Sequence, residues 1–217
     1  MIKKLFFKEF KLAVPMYSFL FILMPCLLFI PAYPYVVGMI YFTVQLQIVF
    51  SIYAANKDLE FTAMLPVSRK DIVRVRFITV IFTQAAHLFV AIICGLISSL
   101  ILNPLGNQVG MDANFAFFGL ILIYYAVFNY IFLTLFYKTG YKWGIPFGIA
   151  ILSMGILAVA CEIIIAFVPF LNEALDSLNP EMFVWQLLVL GLGIIVYISG
   201  LVLSFKKAVK NFERVNI

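Results

Sequence analysis

The sequence is poor in charged residues, and that shortage excludes a soluble protein. Charged side chains make up only 12% of its 217 residues, and hydrophobic ones 65%, whereas a soluble domain carries about 25% charged and roughly half apolar residues. Too few polar groups remain to cover the apolar surface, so most of the chain must be solvated by lipid. A spanning helix needs about 20 apolar residues, which allows about six spans and leaves no room for a soluble catalytic domain.

Groups that support catalysis or metal binding are equally scarce. The chain has one histidine and three cysteines, and no predicted span contains a pair of carboxylates. Cys26, Cys94 and Cys161 all lie in apolar segments without Cys-x-x-Cys spacing, so we interpret them as packing residues and predict no disulfide and no metal site. A phosphate-binding Gly-x-x-x-x-Gly-Lys-[Ser/Thr] loop is absent from the sequence. The chain is predicted to have no catalytic residue and to bind no cofactor itself.

Lysine and arginine occur in four groups, which precede span one, separate spans two and three, separate spans four and five, and follow span six. The groups are Lys3, Lys4, Lys8 and Lys11; Lys57, Arg69, Lys70, Arg74 and Arg76; Lys138 and Lys142; and Lys206, Lys207, Lys210 and Arg214. The other connections hold only acidic charges, at Asp112, Glu173, Asp176 and Glu181. Because cytoplasmic flanks retain cations, this partition predicts that both termini are cytoplasmic. The net charge of +5 therefore indicates topology and not nucleic-acid binding.

The predicted fold class is an all-α integral membrane protein with six transmembrane helices and an N-terminal interfacial helix. The spans are predicted near residues 16–32, 35–55, 74–102, 115–137, 144–168 and 183–205. In residues 2–14 the lysines fall within an arc of about 140°, opposite apolar side chains, as in a helix lying among anionic headgroups.

Two arrangements are open after span five. One long tilted helix could continue to Phe170, or the span could end near residue 160 and be followed by a short helix that dips back into the outer leaflet. We favour the second arrangement, because it places Glu162 near a break.

The stretch between spans two and three, residues 56–73, mixes both charge signs with apolar residues. A simple connector would be short, polar and rich in glycine. This stretch instead predicts a short helix, a break at Pro66, and a new helix capped by Ser68 with Asp71 at the capping-box position. The pattern indicates a surface on which another protein docks, and the alternative is a solvated loop lying on the headgroups.

The run from Leu65 to Val73, followed by Arg74, Arg76 and Phe77, resembles the signature of ABC-2-type transporter permeases. It is most similar to the small bacterial subgroup that includes the permeases of the phenol-soluble modulin exporter. The resemblance implies an ABC-2 (type V exporter-like) fold for residues 1–217 and a coupling helix at residues 56–71, which in that family lies in a groove of the ATP-binding subunit. The ATPase-coupling residues implied in this way are Asn56, Lys57, Asp58, Leu59, Glu60, Phe61, Leu65, Pro66, Val67, Ser68, Arg69, Lys70 and Asp71.

The same resemblance implies a permease subunit of an exporter in the bacterial cell membrane, with amphipathic or hydrophobic substrates such as membrane-active peptides. ATP and Mg²⁺ would bind to two copies of a separate ATP-binding subunit, and a second permease, identical or homologous, would complete the complex. A rival interpretation is the substrate-binding component of an energy-coupled vitamin importer, against which the interfacial helix and the 56–73 segment argue. A membrane enzyme is the third possibility.

Four polar residues inside the spans are candidates for a substrate path: Gln45, His87, Asn129 and Glu162. His87 lies on a weakly polar face of span three with Thr79, Thr83, Cys94 and Ser98, and Gln84 is at its edge. For His87, Gln45 and Asn129 we favour hydrogen bonds between helices over a path or a proton relay.

Small residues in span five lie on one line with Glu162: Gly144, Gly148, Gly155 and Ala158. They predict close approach of another helix. Glu162 should then face protein or a cavity, since an ionised carboxylate facing lipid is costly. A structural hydrogen bond and a role in the pathway or gate both remain open for it.

Overall fold

The structure is a computed structural model that describes residues 6–8, 14–58, 61, 64, 66–102, 106–177 and 179–215. Within these ranges the chain forms helices and short connections, and no strand. The α-helices are α1 (Tyr35–Ile40), α2 (Phe42–Ala55), α3 (Arg69–Ile97), α4 (Phe115–Lys138), α5 (Gly144–Phe167), α6 (Pro169–Leu175) and α7 (Phe183–Glu213). A 3₁₀ helix spans Met16–Phe29, a π-helical turn spans Ser98–Leu102, and a short 3₁₀ turn spans Pro180–Met182.

Five stretches in this part of the chain are long and apolar enough to cross a membrane. They are Tyr35–Ala55, Arg69–Leu102, Phe115–Lys138, Gly144–Phe167 and Pro180–Glu213. The chain is therefore a multi-pass helical membrane protein, and six spans remains a prediction.

The predicted first span is the 3₁₀ helix Met16–Phe29, which has 14 residues. A 3₁₀ helix rises about 2.0 Å per residue, so it reaches about 28 Å, close to the roughly 30 Å hydrocarbon thickness. Pro25 lies inside it, where an α-helix would lose a backbone hydrogen bond. The Cys26 sulfur lies 3.8 Å from that of Cys94, and both thiols are free. Of the predicted interfacial helix at 2–14, only residues 6–8, which are helical, and Val14 lie within the described residues.

Helix α3 begins at Arg69 and is continuous with the span predicted from residue 74, because Ser68 caps it. The backbone N–H of Asp71 donates to Ser68 Oγ at 3.1 Å, and Ser68 Oγ donates to Asp71 Oδ2 at 2.7 Å. The predicted cap is confirmed. The carboxylate accepts from the Ser68 hydroxyl, whereas the glutamate of a capping box accepts from the N-cap backbone N–H.

Helix α5 continues to Phe167, so the favoured break near residue 160 is wrong. The chain becomes extended at Val168 (φ −96°, ψ 107°), and a short helix, α6, follows from Pro169. Glu162 consequently lies within the helix. Pro169 is favourable at the first position of α6. The first N–H groups of a helix have no partner within the helix, so the N–H that proline lacks costs no hydrogen bond.

The closest helix contact is between α4 and α7, and not along the glycines of span five. A methyl group at Gly119 would lie 2.6 Å from the carbonyl oxygen of Val189, and one at Gly193 would collide with the Gly119 backbone. By contrast, a methyl group at Gly144, Gly148 or Gly155 would meet nothing within 4 Å. No described helix of this chain approaches these three glycines, although Ala158 is buried, and close approach by a helix of another chain stays a prediction.

The connections lie at two ends of the bundle, which differ in charge. One, here called the basic end, joins the start of α3 to the end of α7, and Arg69 there donates to backbone carbonyls of Phe212 and Glu213. At the opposite end the backbone N–H of Gln108 donates to Pro31 O at 2.9 Å, and the Asn114 amide donates to Leu175 O at 2.7 Å. The fold thus separates a basic surface from an acidic one.

Candidate functional site

Residues 56–71, here called the coupling segment, lie at the basic end between α2 and α3. The structure describes residues 56–58, 61, 64 and 66–71 of it, and the predicted site residues Leu59, Glu60 and Leu65 lie outside the described residues. Helix α2 ends at Ala55, and Lys57 has a positive φ of 49°, so the chain turns sharply out of α2. This turn directs the next residue, Asp58, back toward the bundle.

Asp58 is the buried attachment of the coupling segment. Its Oδ2 accepts from Arg76 Nη2 on α3, and its Oδ1 accepts from Lys8 Nζ at 2.6 Å. The Asp58 side chain is 10% exposed and that of Arg76 is fully buried. Because a buried charge is stable only when it is paired, this carboxylate fixes both the start of the coupling segment and the N-terminal residues around Lys8.

The Arg76 guanidinium lies between two aromatic rings. Its Cζ is 4.2 Å from the ring centre of Tyr53 on α2 and 4.3 Å from that of Tyr141. Tyr141, in the connection between α4 and α5, stacks in turn on Phe136 and Phe212, with ring centres 4.7 Å and 5.7 Å away. A desolvated cation over an aromatic face gains about 2 kcal/mol. Arg76 therefore joins α2, α3, the α4–α5 connection and the coupling segment at one point.

Arg69 forms a second attachment, to the end of α7. Its Nη1 donates to the carbonyl oxygens of Phe212, Glu213 and Val215, at distances between 2.9 and 3.0 Å. The last carbonyls of a helix have no partner within it, and a cation there also favours the helix dipole. Arg69, the first residue of α3, thus caps the C-terminal end of α7 and forms a bridge between the two helices.

Most of the remaining described residues of the coupling segment are exposed. Phe61 is 51% exposed and Met64 is 81% exposed. The Lys8 ammonium group lies 5.1 Å from the Phe61 ring centre, so the N-terminal region supports this part of the segment as well. The other exposed residues are Asn56, Lys57, Pro66, Ser68 and Lys70.

The predicted coupling residues therefore form two sets. Asp58 and Arg69 hold the coupling segment to the bundle, and Val67 packs against the core, whereas Phe61 and Met64 are available at the surface. Sequence reasoning treated all of them as one surface and did not identify the pairing of Arg76. The available signal was that Arg76 follows Ile72 and precedes Val80 on the same helical face, which is buried.

The predicted path residue Asn129 forms a buried amide pair. Gln84 Nε2 donates to Asn129 Oδ1, and Asn129 Nδ2 donates to Gln84 Oε1, both at 2.9 Å. The Tyr197 hydroxyl donates to the same Gln84 oxygen at 2.8 Å. These bonds join α3, α4 and α7, so the predicted hydrogen bond between helices is present at Asn129.

His87 and Gln45 are also fully buried. His87 Nδ1 lies 2.8 Å from the Tyr125 hydroxyl, which confirms a hydrogen bond between α3 and α4. Gln45 is on α2, and neither of its amide atoms has a hydrogen-bond partner among the described residues.

Glu162 lies near the opposite end of the bundle. Its Oε2 accepts from the backbone N–H of Met111 at 3.3 Å, and it lines a cavity of about 360 Å³ beside Gly110 and Asp176. The prediction that this carboxylate faces protein or a cavity is confirmed. The four path candidates do not form one site, because Glu162 contacts the connection before α4, whereas Asn129 and His87 bond across the α3–α4 interface.

Two carboxyl groups near Glu162 lie in connections between helices. The backbone N–H of Asp112 donates to Asp176 Oδ1 at 2.8 Å. Burial raises the pKa of Asp112 above its ordinary 3.8; nearby Asp176 raises it further, and the hydrogen bond from the Asn107 N–H opposes the rise. Burial likewise raises the pKa of Asp176. No group of three or more histidine, cysteine, aspartate or glutamate residues suited to a metal ion occurs in the described ranges.

The described residues thus form a multi-pass helical membrane protein with a firmly attached, partly apolar segment at its basic end. The profile of the ABC-2 family transporter proteins matches residues 4–213, so the chain belongs to this family. It is thus a permease component of an ABC transporter, a membrane subunit that partners an ATP-binding subunit. Comparison with curated proteins and with solved structures gave no match. Family membership favours this interpretation over a vitamin-binding importer component.

Proposed function

We propose that this chain is the transmembrane subunit of an ATP-binding-cassette exporter and that its coupling segment docks on the ATP-binding subunit. One observation carries the proposal: the segment presents exposed Phe61 and Met64 while Asp58 and Arg69 fasten it to the bundle. Exposed apolar groups at an otherwise basic surface favour burial against a partner protein. Attachment on both sides of these groups favours transmission of force, because a loose loop would absorb it.

The two attachments suggest how movement would spread. Asp58 is joined to Arg76 in the second turn of α3, and Arg69 is joined to the last turn of α7. A push on the coupling segment would displace α3 and α7 as rigid elements, in the manner of a packed helix shift. Closure of two ATP-binding subunits, which bind ATP and Mg²⁺, would in this way rock the permease between inward-facing and outward-facing states.

The proposed topology has six spans with both termini in the cytoplasm of a bacterial cell. In this topology the 3₁₀ helix Met16–Phe29 is the first span, added to the five long helices. Its length of about 28 Å is enough to cross the hydrocarbon layer. All described lysines and arginines lie toward the basic end, which the distribution of cations assigns to the cytoplasm. This orientation would place Asp112, Glu162 and Asp176 toward the outside.

A second permease, identical or homologous, would complete the path along α5. The outer face of α5 is apolar, with a groove of about 590 Å³ lined by Leu152, Gly155, Ile156 and Val159 among others. Such a surface suits amphipathic or hydrophobic substrates. The resemblance to phenol-soluble modulin exporter permeases suggests membrane-active peptides as one class of these substrates. Glu162 follows this groove on the same helix and is our candidate for the outer mouth of the path.

The docking surface can be tested without disturbing the attachments. Alanine at Arg69 or Asp71 would disturb the α7 contact or the α3 cap, so the informative variant is Phe61→Ser with Met64→Ser. We expect this double variant to reach the membrane at normal levels but to lose co-purification with the ATP-binding subunit and transport-linked ATP hydrolysis. The matched control is Val109→Ser, which removes a 55% exposed apolar group at the opposite end. Unchanged co-purification and hydrolysis in the double variant would refute the docking assignment.

A further inference from the structure

A groove runs between α3 and α7 from the basic end into the apolar part of the bundle surface. Its volume is about 720 Å³. The residues on the α3 side share one helical face, with spacings of three and four residues: Lys70, Arg74, Phe77, Ile78 and Ile81. The residues on the α7 side are Ile198, Leu201, Val202, Phe205, Lys206, Val209 and Glu213.

The floor of the groove is formed by two aromatic side chains. The rings of Phe77 and Phe205 meet edge to face with centres 5.4 Å apart. Its walls remain open to the surroundings, since Ile78 is 38% and Val202 is 47% exposed. In a membrane protein these walls face the lipid phase, so the groove is a furrow in the lipid-facing surface.

The charged residues lie in the half of the groove nearest the basic end, with Lys70 at its end and Lys206 further in, next to Phe205. Lys70 and Lys206 are exposed there, and no partner is found for either ammonium group among the described residues. Arg74 Nη1 forms an ion pair with Asp71 Oδ1 at 3.0 Å. The Glu213 side chain also lines this part of the groove. Three cations therefore face one carboxylate, and two of these cations are available to an incoming anion.

The length of the groove matches one leaflet of a bilayer. From Lys70 to Ile81 an α-helix rises about 16 Å, and half of the hydrocarbon thickness is about 15 Å. A molecule with an anionic head at the lysines and an apolar tail over Phe77 and Phe205 would satisfy both parts of the groove. A second protein chain would need acidic residues opposite the lysines, and Asp112, Glu173 and Asp176 of this chain lie at the opposite end of the bundle.

We propose that the α3–α7 groove binds an anionic phospholipid of the inner leaflet, with its phosphate at Lys70 and Lys206 and an acyl chain along Phe77, Ile81 and Phe205. Basic pockets at the cytoplasmic ends of membrane helices commonly bind such headgroups. The lipid would lie beside the Arg69 bridge and bury the apolar surfaces of both helices that the bridge joins. The groove is separate from the coupling surface at Phe61 and Met64, so this site extends the proposed function.

The occupant can be identified by photo-crosslinking in membranes. A diazirine amino acid at Ile78 of the full-length permease, irradiated in vesicles of phosphatidylglycerol and phosphatidylcholine, should give an adduct with the mass of phosphatidylglycerol. The same probe at Phe89, which is 65% exposed on α3 outside the groove, should show no preference between the two lipids. Crosslinking of the Ile78 probe to a second copy of the chain, or equal labelling by both lipids, would overturn the proposal.

The role of the lysines can be measured by native mass spectrometry of the purified full-length chain titrated with phosphatidylglycerol. Lys70→Gln with Lys206→Gln should weaken binding about tenfold or more, since each interfacial cation contributes about a fivefold factor. Lys70→Arg with Lys206→Arg should keep the affinity, which separates loss of charge from misfolding. The control Lys138→Gln with Lys142→Gln removes two exposed cations at the same end outside the groove and should leave binding unchanged. Equal affinity of the glutamine double variant and this control would refute the site.

Discussion

The carboxylate of Asp58 and the guanidinium of Arg76 form a buried ion pair between the coupling segment and the helix that follows it. The other carboxylate oxygen, Asp58 Oδ1, forms an ion pair with Lys8 Nζ at 2.6 Å. Buried pairs of this kind add little net stability compared with apolar residues, but each partner needs the other. The pair therefore acts mainly to fix geometry, which is what a segment that receives force requires.

Replacing one member of this pair should destabilise the protein strongly. Arg76→Met removes the charge but keeps most of the apolar stem, and deprives the buried Asp58 carboxylate of its Arg76 partner. We expect a loss of about 3–5 kcal/mol in the free energy of unfolding, together with loss of transport-linked ATP hydrolysis. Thermal unfolding in detergent and ATPase assays of the reconstituted complex measure the two effects.

A neighbouring arginine provides the control for the Arg76 variant. Arg74 pairs with Asp71, and their side chains are 42% and 33% exposed. Arg74→Met should cost no more than about 1 kcal/mol, because exposed pairs contribute little. Equal destabilisation by Arg74→Met and Arg76→Met would contradict the buried role of Arg76.

The bridge from Arg69 to the end of α7 should depend on the shape of the side chain and not only on its charge. Arg69→Lys keeps the cation, but the lysine ammonium group lies one bond short of the Nη1 position from which arginine reaches three carbonyl groups. We expect hydrogen exchange in the last turn of α7, around Phe212 and Glu213, to become faster, with docking of the ATP-binding subunit retained and coupled hydrolysis reduced. Arg214→Lys, at an exposed position, is the control. Unchanged hydrogen exchange in the last turn of α7 of Arg69→Lys would show that the Arg69 bridge does not hold this turn in place.

Five long apolar helices and the start of α3 could be predicted from the sequence because they depend on local properties. The length of apolar runs and the Ser68–Asp71 spacing are both readable within one segment. The pair Asp58–Arg76 could not be predicted in this way, since its partners are 18 residues apart across a bend in the chain. An arginine is ordinarily exposed, and only the aromatic rings of Tyr53 and Tyr141, from distant segments, make burial of Arg76 possible.

The position of the close helix contact was also beyond local reasoning. Glycines occur on both α5 and α7, so the presence of small residues does not say which helix has a near neighbour. Gly193 and Gly200 on α7 oppose Gly119 and Ala126 on α4, and this matching on two helices is the signal that a comparison between spans could have used. The glycines of α5 have no such match within the chain.

Enlarging Gly193 should disrupt the α4–α7 contact. Its added methyl group would meet the backbone of Gly119, which cannot move aside as a flexible side chain would. We expect Gly193→Ala to destabilise the protein by about 1–3 kcal/mol through overpacking, measured by thermal unfolding. Gly191→Ala, where a methyl group meets nothing within 4 Å, should be neutral or slightly stabilising. Loss of stability in both variants would mean that the α4 backbone does not set the effect, because alanine is the better helix former at both positions.

Acidic conditions should stabilise the connection that joins α3 to α4. The pKa of Asp112 is raised in the folded protein by burial and by Asp176, above its ordinary 3.8. A raised pKa means that the folded state binds the proton more tightly, so this contribution is fully present below pH 3.8 and is lost as the pH rises through the higher folded value. Thermal stability should therefore fall as the pH rises above 3.8, and Asp112→Asn, which keeps an oxygen for the Asn107 N–H, should flatten that dependence. Glu173→Gln, at an exposed carboxylate of the same end, should leave the dependence in place. A slope that survives in Asp112→Asn would assign the effect to Glu162 or Asp176 instead.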